Sequence, residues 1–113
     1  PKENRLHIRK RWLAFGSRLR GSLTVDNGCA NAVVSTGSSL LPAGITAVDG
    51  DFDQGCTVSI RTAEGREIAR GMSNYCAAEI RQIAGAKTQD IASILGRKVY
   101  DEVVHRDNMV VLV

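Results

Sequence analysis

Apolar positions recur along this chain in two rhythms, one near the helical period and one of two residues. Ile8, Trp12 and Phe15 fall at i, i+4 and i+7, and Leu6 and Leu13 lie seven apart. That spacing predicts a short helix over residues 4–15, with Arg5, Arg9, Lys10 and Arg11 on its polar side. Gly16-Ser17 ends it. Residues 19–25 read as a strand. Asp26 or Asn27 can cap a helix running through Val34, closed by Gly37. Residues 38–44 form a loop in which Leu40 and Leu41 both look like core plugs. A second strand covers 45–48, and 49–55 is a turn region.

The clearest alternation is at 56–61, where Cys56, Val58 and Ile60 interleave with Thr57, Ser59 and Arg61. Glu64-Gly65 turns the chain into a partner strand at 66–72, giving a β-hairpin. Residues 75–84 place Cys76, Ile80, Ile83 and Ala84 on one helical face. The ring of Tyr75 is expected to pack with its hydroxyl outward. Thr88 is expected to cap the next helix, with Asp90 in its first turn, Ile91, Ile94 and Leu95 on its apolar side, and Gly96 after its end. Val103 to Arg106 and Met109 to Val113 read as two strands joined by an Asp107-Asn108 turn. The predicted class is α+β, mostly β, with short helices at the rims of a small barrel-like sheet. Ile45, Val58, Ile60, Ile80, Ile83, Ile91, Leu95, Val104 and Val111 are the expected core.

With 113 residues, the chain is one domain's worth. That excludes a two-domain enzyme for the chain as given. No apolar run approaches a membrane span. The start at Pro1, without Met, reads as processed or excised. Charge is uneven. The first 20 residues hold seven basic side chains and one acid, a net +6, whereas the other 93 hold eight basic and eleven acidic, a net −3. Such an arm suits a nucleic acid, an acidic partner surface or a neighbouring domain, and equally a solvated helix. Cys29, Cys56 and Cys76 form no CxxC pair, so they read as unpaired buried thiols in a reducing compartment, the cytoplasm.

Two apparent motifs fail on inspection. His105-Arg106-Asp107 resembles a kinase catalytic loop but lacks the Asn five residues on. Asp49, Asp51 and Asp53 open like a calcium loop, yet its Gly and Glu positions hold Gln54 and Ile60. No glycine-rich phosphate loop is present, so ATP binding and kinase activity are not expected of this chain. No catalytic, cofactor-binding or metal-ligating residue is assigned. The residues describe a binding, regulatory or interaction module.

Nine segments, in order, carry a family resemblance. They include Arg9-Lys10-Arg11-Trp12-Leu13-Ala14, Gly21-Ser22-Leu23-Thr24-Val25-Asp26, Gly37-Ser38-Ser39-Leu40-Leu41-Pro42-Ala43-Gly44-Ile45 and Val48-Asp49-Gly50-Asp51-Phe52. Ile68-Ala69-Arg70-Gly71, Asn74-Tyr75, Ile83-Ala84-Gly85, Ile94-Leu95-Gly96 and His105-Arg106-Asp107-Asn108 continue the series. Together they resemble the C-terminal PUA domain of bacterial glutamate 5-kinases, departing from the family pattern at Cys29 and Cys56. The resemblance implies a PUA-like pseudo-barrel of about six strands. It divides the chain into a basic linker helix, 1–17, from a missing kinase domain, and a PUA domain, 18–113. ATP and magnesium would belong to the absent amino-acid-kinase domain.

Two functions follow from the resemblance. The first is regulation of a proline-biosynthetic kinase through interdomain or intersubunit contacts, with a homo-oligomer possible. The second is binding of structured RNA, as PUA domains do elsewhere. Candidate RNA or interdomain contacts are Arg9, Lys10, Arg11, Trp12, Arg18, Arg20, Arg61, Arg70, His105 and Arg106. Convergence of the basic side chains outside the arm on one face would favour RNA.

Overall fold

The computed structural model describes residues 5–16 and 18–113, with side chains at Ile8, at 10–16 and from Arg18 onward. Leu6 and the candidate contact Arg9 therefore have side chains outside the described residues. Helix α1 (Arg5–Phe15) leads into strand β1 (Leu19–Val25), helix α2 (Asn27–Thr36), a 3₁₀ turn at Pro42–Gly44 and strand β2 (Ile45–Gly50). Strands β3 (Thr57–Arg61) and β4 (Glu67–Met72) form the hairpin expected around Glu64-Gly65. Helices α3 (Ala77–Ile83) and α4 (Ile91–Leu95) follow, and strand β5 (Met109–Val111) closes the series.

The sheet order is β2-β1-β3-β4-β5. The β1–β3 pair is parallel and the others are antiparallel. Parallel strands need a crossover, and α2 with β2 fills that stretch of chain. Five strands thus stand where about six were expected. The missing one is the 103–106 segment, which makes a single bridge from Val104 to Leu40. Its link to β5 is a 3₁₀ turn (Arg106–Asn108), not a hairpin, because β5 pairs instead with the free edge of β4.

Helix α2 is specified locally. The Asp26 carboxylate accepts the Cys29 backbone N–H at 2.7 Å, and Gly37 closes the helix at φ 63°, where a side chain would be strained. Helix α3 starts differently. Cys76 at its N-cap makes no side-chain bond, and the Ala77 N–H donates to the Phe52 carbonyl at 2.9 Å. Thr88 makes no capping bond either, because its segment turns as a short 3₁₀ helix before α4.

The core lies between the inner sheet face and α2, α3 and α4. Ile45, Val58, Ile60, Ile80, Ile83, Ile91 and Val104 are buried as expected, together with Leu23, Val33 and Phe52. Leu95 and Val111 are half-buried and pack against this cluster from its edge. Of the paired leucines, only Leu40 plugs the core; Leu41 is 43% exposed. The Tyr75 hydroxyl does not point outward. It donates to the Tyr100 carbonyl and accepts the Tyr100 N–H at 3.1 Å, which pins the loop after α4 to the core.

Candidate functional site

Helix α1 lies against β4, β5 and the final 3₁₀ turn. Leu13 is fully buried, while Ile8, Trp12 and Phe15 are 52%, 55% and 87% exposed. The periodic stripe is real, but it faces away from the sheet. At 3.6 residues per turn, Leu13 points down, Lys10 and Ala14 lie on one flank, and Trp12 and Gly16 on the other. Each flank is a groove. Lys10, Arg11, Ala14 and Phe15 with Val110, Val111 and Leu112 line one of about 490 Å³ beside β5. Trp12, Gly16, Arg18, Arg20, Gly55, Cys56 and Thr57 line the other, of about 360 Å³.

The helix end is held by a charged network on the outer sheet face. Antiparallel register sets Ser59 opposite Arg70 and Arg61 opposite Glu67. Arg70 donates from Nε to Glu67 Oε2 and from Nη2 to Glu67 Oε1, both at 3.0 Å, a bidentate pair. Its third donor, Nη1, reaches the Ala14 carbonyl oxygen at 3.1 Å. The Ser59 hydroxyl donates to Glu67 Oε2 at 2.6 Å, and Arg61 Nε donates to that hydroxyl at 3.1 Å. Arg70 thus ties a carbonyl in the last turn of α1, which has no intrahelical partner to satisfy it, to strand β4.

The Arg70 hydrogen bonds hold the Glu67 carboxyl below its ordinary value, helped by Ser59 and by the charges of Arg70 and Arg61, against partial desolvation. A lowered folded-state value means that this carboxylate stabilises the fold above the unfolded pKa, about 4.3, and loses that effect as pH falls through the folded value. Wild type should therefore be more stable than Glu67→Gln at pH 7, and the gap between their melting temperatures should close on acidification below about pH 4. A gap that does not narrow as the pH falls would contradict the assignment.

The other candidates are dispersed. His105 is half-buried, and its Nδ1 accepts the Asp107 backbone N–H at 3.0 Å, so it caps the final 3₁₀ turn. The Arg106 backbone N–H donates to Ser39 Oγ at 2.8 Å, near the loop after α2. Ser59 and Glu67, the partners of Arg70, were not singled out from the sequence. Laying out the register of the hairpin would have exposed them.

A third groove, of about 430 Å³, runs between α2 and the 38–44 loop past Asp26, Cys29, Ser39, Leu41 and Gly44. A methyl on Gly44 would stand 2.7 Å from Cys29 Sγ, so the thiol occupies the space that this glycine leaves. Burial, and secondarily the Asp26 charge, push the Cys29 thiol up to about 11. All three cysteines are free, as expected, but each is half-buried rather than buried. Because only the thiolate is nucleophilic, alkylation of Cys29 at pH 8 should be at least about tenfold slower in the native chain than after unfolding. Equal rates, read by peptide mass mapping, would place this thiol in solvent.

Among the described residues, no group of three His, Cys, Asp or Glu side chains is placed to hold a metal, and no helix is long and apolar enough to cross a membrane.

Comparison with known proteins places this geometry. The PUA domain family model matches residues 21–95. The chain is 58% identical over 112 residues to a glutamate 5-kinase of Moorella thermoacetica and 52% identical over 112 residues to one of Caldanaerobacter subterraneus subsp. tengcongensis. Each alignment covers 99% of this chain and 30% of the relative, so the chain spans less than a third of the length of these kinases. A PUA domain from Aeropyrum pernix K1, solved as a tartrate complex, superposes with a TM-score of 0.56 at 25% identity, covering 65% of this chain and 40% of the other. The sheet, the helices packed on it and the sequence agree: this chain belongs to the PUA domain family.

Proposed function

We propose that the chain is the C-terminal PUA domain of a cytoplasmic glutamate 5-kinase and that it regulates this enzyme through contacts. The parent would phosphorylate L-glutamate with ATP to L-glutamyl 5-phosphate in proline biosynthesis. Its ATP and magnesium would be held in the amino-acid-kinase domain.

The observation that carries this reading is the top of α1. Phe15 is 87% exposed beside the 37% exposed Leu112, with Lys10 and Arg11 alongside. An apolar centre with a basic rim has the composition of a protein interface. The helix presenting it is fixed from below by Leu13 and Arg70. A surface held in place in this way suits a standing contact with another domain or subunit.

The structured-RNA alternative draws less support. Arg61 and Arg70 are engaged on the outer sheet face, Arg106 lies at the final 3₁₀ turn, and Arg18 and Arg20 flank Trp12. The donors of Arg61 and Arg70 are taken by Ser59, Glu67 and the Ala14 carbonyl, which leaves less of this basic surface for the backbone of a folded RNA.

The test compares full-length enzyme with and without the domain for turnover, proline inhibition and magnesium dependence. Turnover should survive deletion while inhibition and metal dependence shift, and Phe15→Glu in the full-length enzyme should reproduce the shift. If all three properties were unchanged by deletion, the regulatory reading would be wrong.

A further inference from the structure

Strand β5 stands at one end of the sheet and pairs only with β4. The phase of that pairing decides which way its backbone faces. The Leu112 N–H donates to the Ile68 carbonyl at 2.8 Å, and Val110 stands opposite Arg70 in the same ladder. Bonded and unbonded residues alternate in an antiparallel pair. Val110 and Leu112 therefore direct their polar groups to β4, and the N–H and C=O of Val111 point to the open edge. Among the described residues nothing pairs with them. Natural sheet edges are commonly blunted by a charge, a proline or a bulge, because free edge backbone recruits other strands. This edge is short but carries none of the three. Residues 109–113 are Met-Val-Val-Leu-Val, and their register against β4 runs without a break.

The side chains beside the edge select what can pair with it. Met109 and Val111 face the core, so the alternate residues Val110 and Leu112 face the side that carries α1. There they form the floor of the groove walled by Phe15 and Ala14. Ala14 adds only a methyl, which keeps the groove open. Its charged lining is Lys10 and Arg11, and no carboxylate lines it. A second copy of this chain would bring the same two cations to the same groove, where like charges oppose pairing. An acidic segment meets no such opposition. We propose that β5 accepts an added strand from a partner protein, an extended segment with apolar residues at alternate positions and carboxylates at one end. Its backbone pairs with Val111, its apolar side chains lie on Leu112 and Phe15, and its carboxylates face Lys10 and Arg11. The proposal rests on the reading of this face as a regulatory contact and names the structure that the face would hold.

The test titrates the 113-residue chain into a fluorescein-labelled peptide of sequence EEVTVTV and follows anisotropy. A saturable rise is expected, with the basic peptide KKVTVTV binding at least tenfold more weakly. Lys10→Glu should reverse that preference, whereas Lys87→Glu, at an exposed lysine before α4, should change either Kd less than threefold. Alternate residues of a strand bond on opposite sides. Methylating the backbone nitrogens of the valines or those of the threonines should therefore weaken binding at least tenfold in one peptide and less than threefold in the other. Three results would overturn the proposal: no anisotropy change at about 1 mM chain, both methylated peptides binding as tightly as the parent, or a dimer in sedimentation that Leu112→Lys breaks, which would make a second copy the occupant. If the peptide fails to bind while deletion of the domain from the full-length enzyme still shifts proline inhibition, the added strand is refuted and the regulatory reading stands. If the peptide binds and deletion changes nothing, the strand stands and the regulatory reading falls.

Discussion

Replacing Ile60 by alanine should cost about 2–5 kcal/mol, a large share of the roughly 5–15 kcal/mol available to a domain of this kind. Ile60 is fully buried in β3, with Leu23 and Ala69 as its cross-strand partners. The cavity left at this position has strands on both sides, so it has little freedom to collapse. Leu95, also expected in the core, is half-buried at the edge of the cluster. Leu95→Ala should therefore cost clearly less than Ile60→Ala. Urea unfolding of both variants checks the order. A loss at Ile60 below about 1 kcal/mol, the scale of exposed positions, would refute its central place.

The two positions show what a sequence carries and what it does not. Short-range chemistry was legible. Asp26 and Gly37 bracket α2 because a cap is a contact over three residues and a left-handed closure concerns one. The alternation at Val58 and Ile60 marks the inner face of β3 correctly. The same alternation fails to say that Thr57 and Ser59 are buried as well. Their burial comes from the neighbouring strands and, for Ser59, from the Glu67 and Arg70 side chains that cross over it. Leu40 and Leu41 are chemically identical neighbours, separated only by a bridge to Val104, far along the chain. No local pattern distinguishes them.

The candidate site was legible in composition more than in geometry. The basic arm and its aromatic residues were visible, but a stripe at Ile8, Trp12 and Phe15 says only that a helix has an apolar side. It does not say whether the surface that covers this side belongs to the same chain. Leu13, outside the stripe, is the residue that seats the helix. The Arg70 contact with the Ala14 carbonyl spans 56 residues and follows from topology, so no reading of local spacing could have produced it.

Gly21→Ala should be a strongly damaging single-methyl change. Gly21 sits opposite Gly50 where β1 and β2 come together. A methyl there would stand 2.5 Å from the Asp49 carbonyl oxygen and 2.6 Å from the Phe52 ring. The first neighbour is backbone held in the β1–β2 ladder, and the second is a buried core side chain. Neither can yield cheaply: the ladder must open or Phe52 must leave its place. A cost near the upper end for overpacking, about 3 kcal/mol, is expected. For a chain of this size that is a fall in melting temperature of roughly 10 °C or more. Gly28→Ala serves as the contrast, since its methyl would meet only Asp26 Oδ1, at an ordinary 3.6 Å, within α2. Alanine there removes the entropic disadvantage of glycine in a helix, so stability should hold or rise by about 0.5–1 kcal/mol. Thermal unfolding of the two variants beside wild type checks the contrast. Wild-type stability in Gly21→Ala would show that the strand ends relax apart at little cost, and that the glycine is not required for their approach.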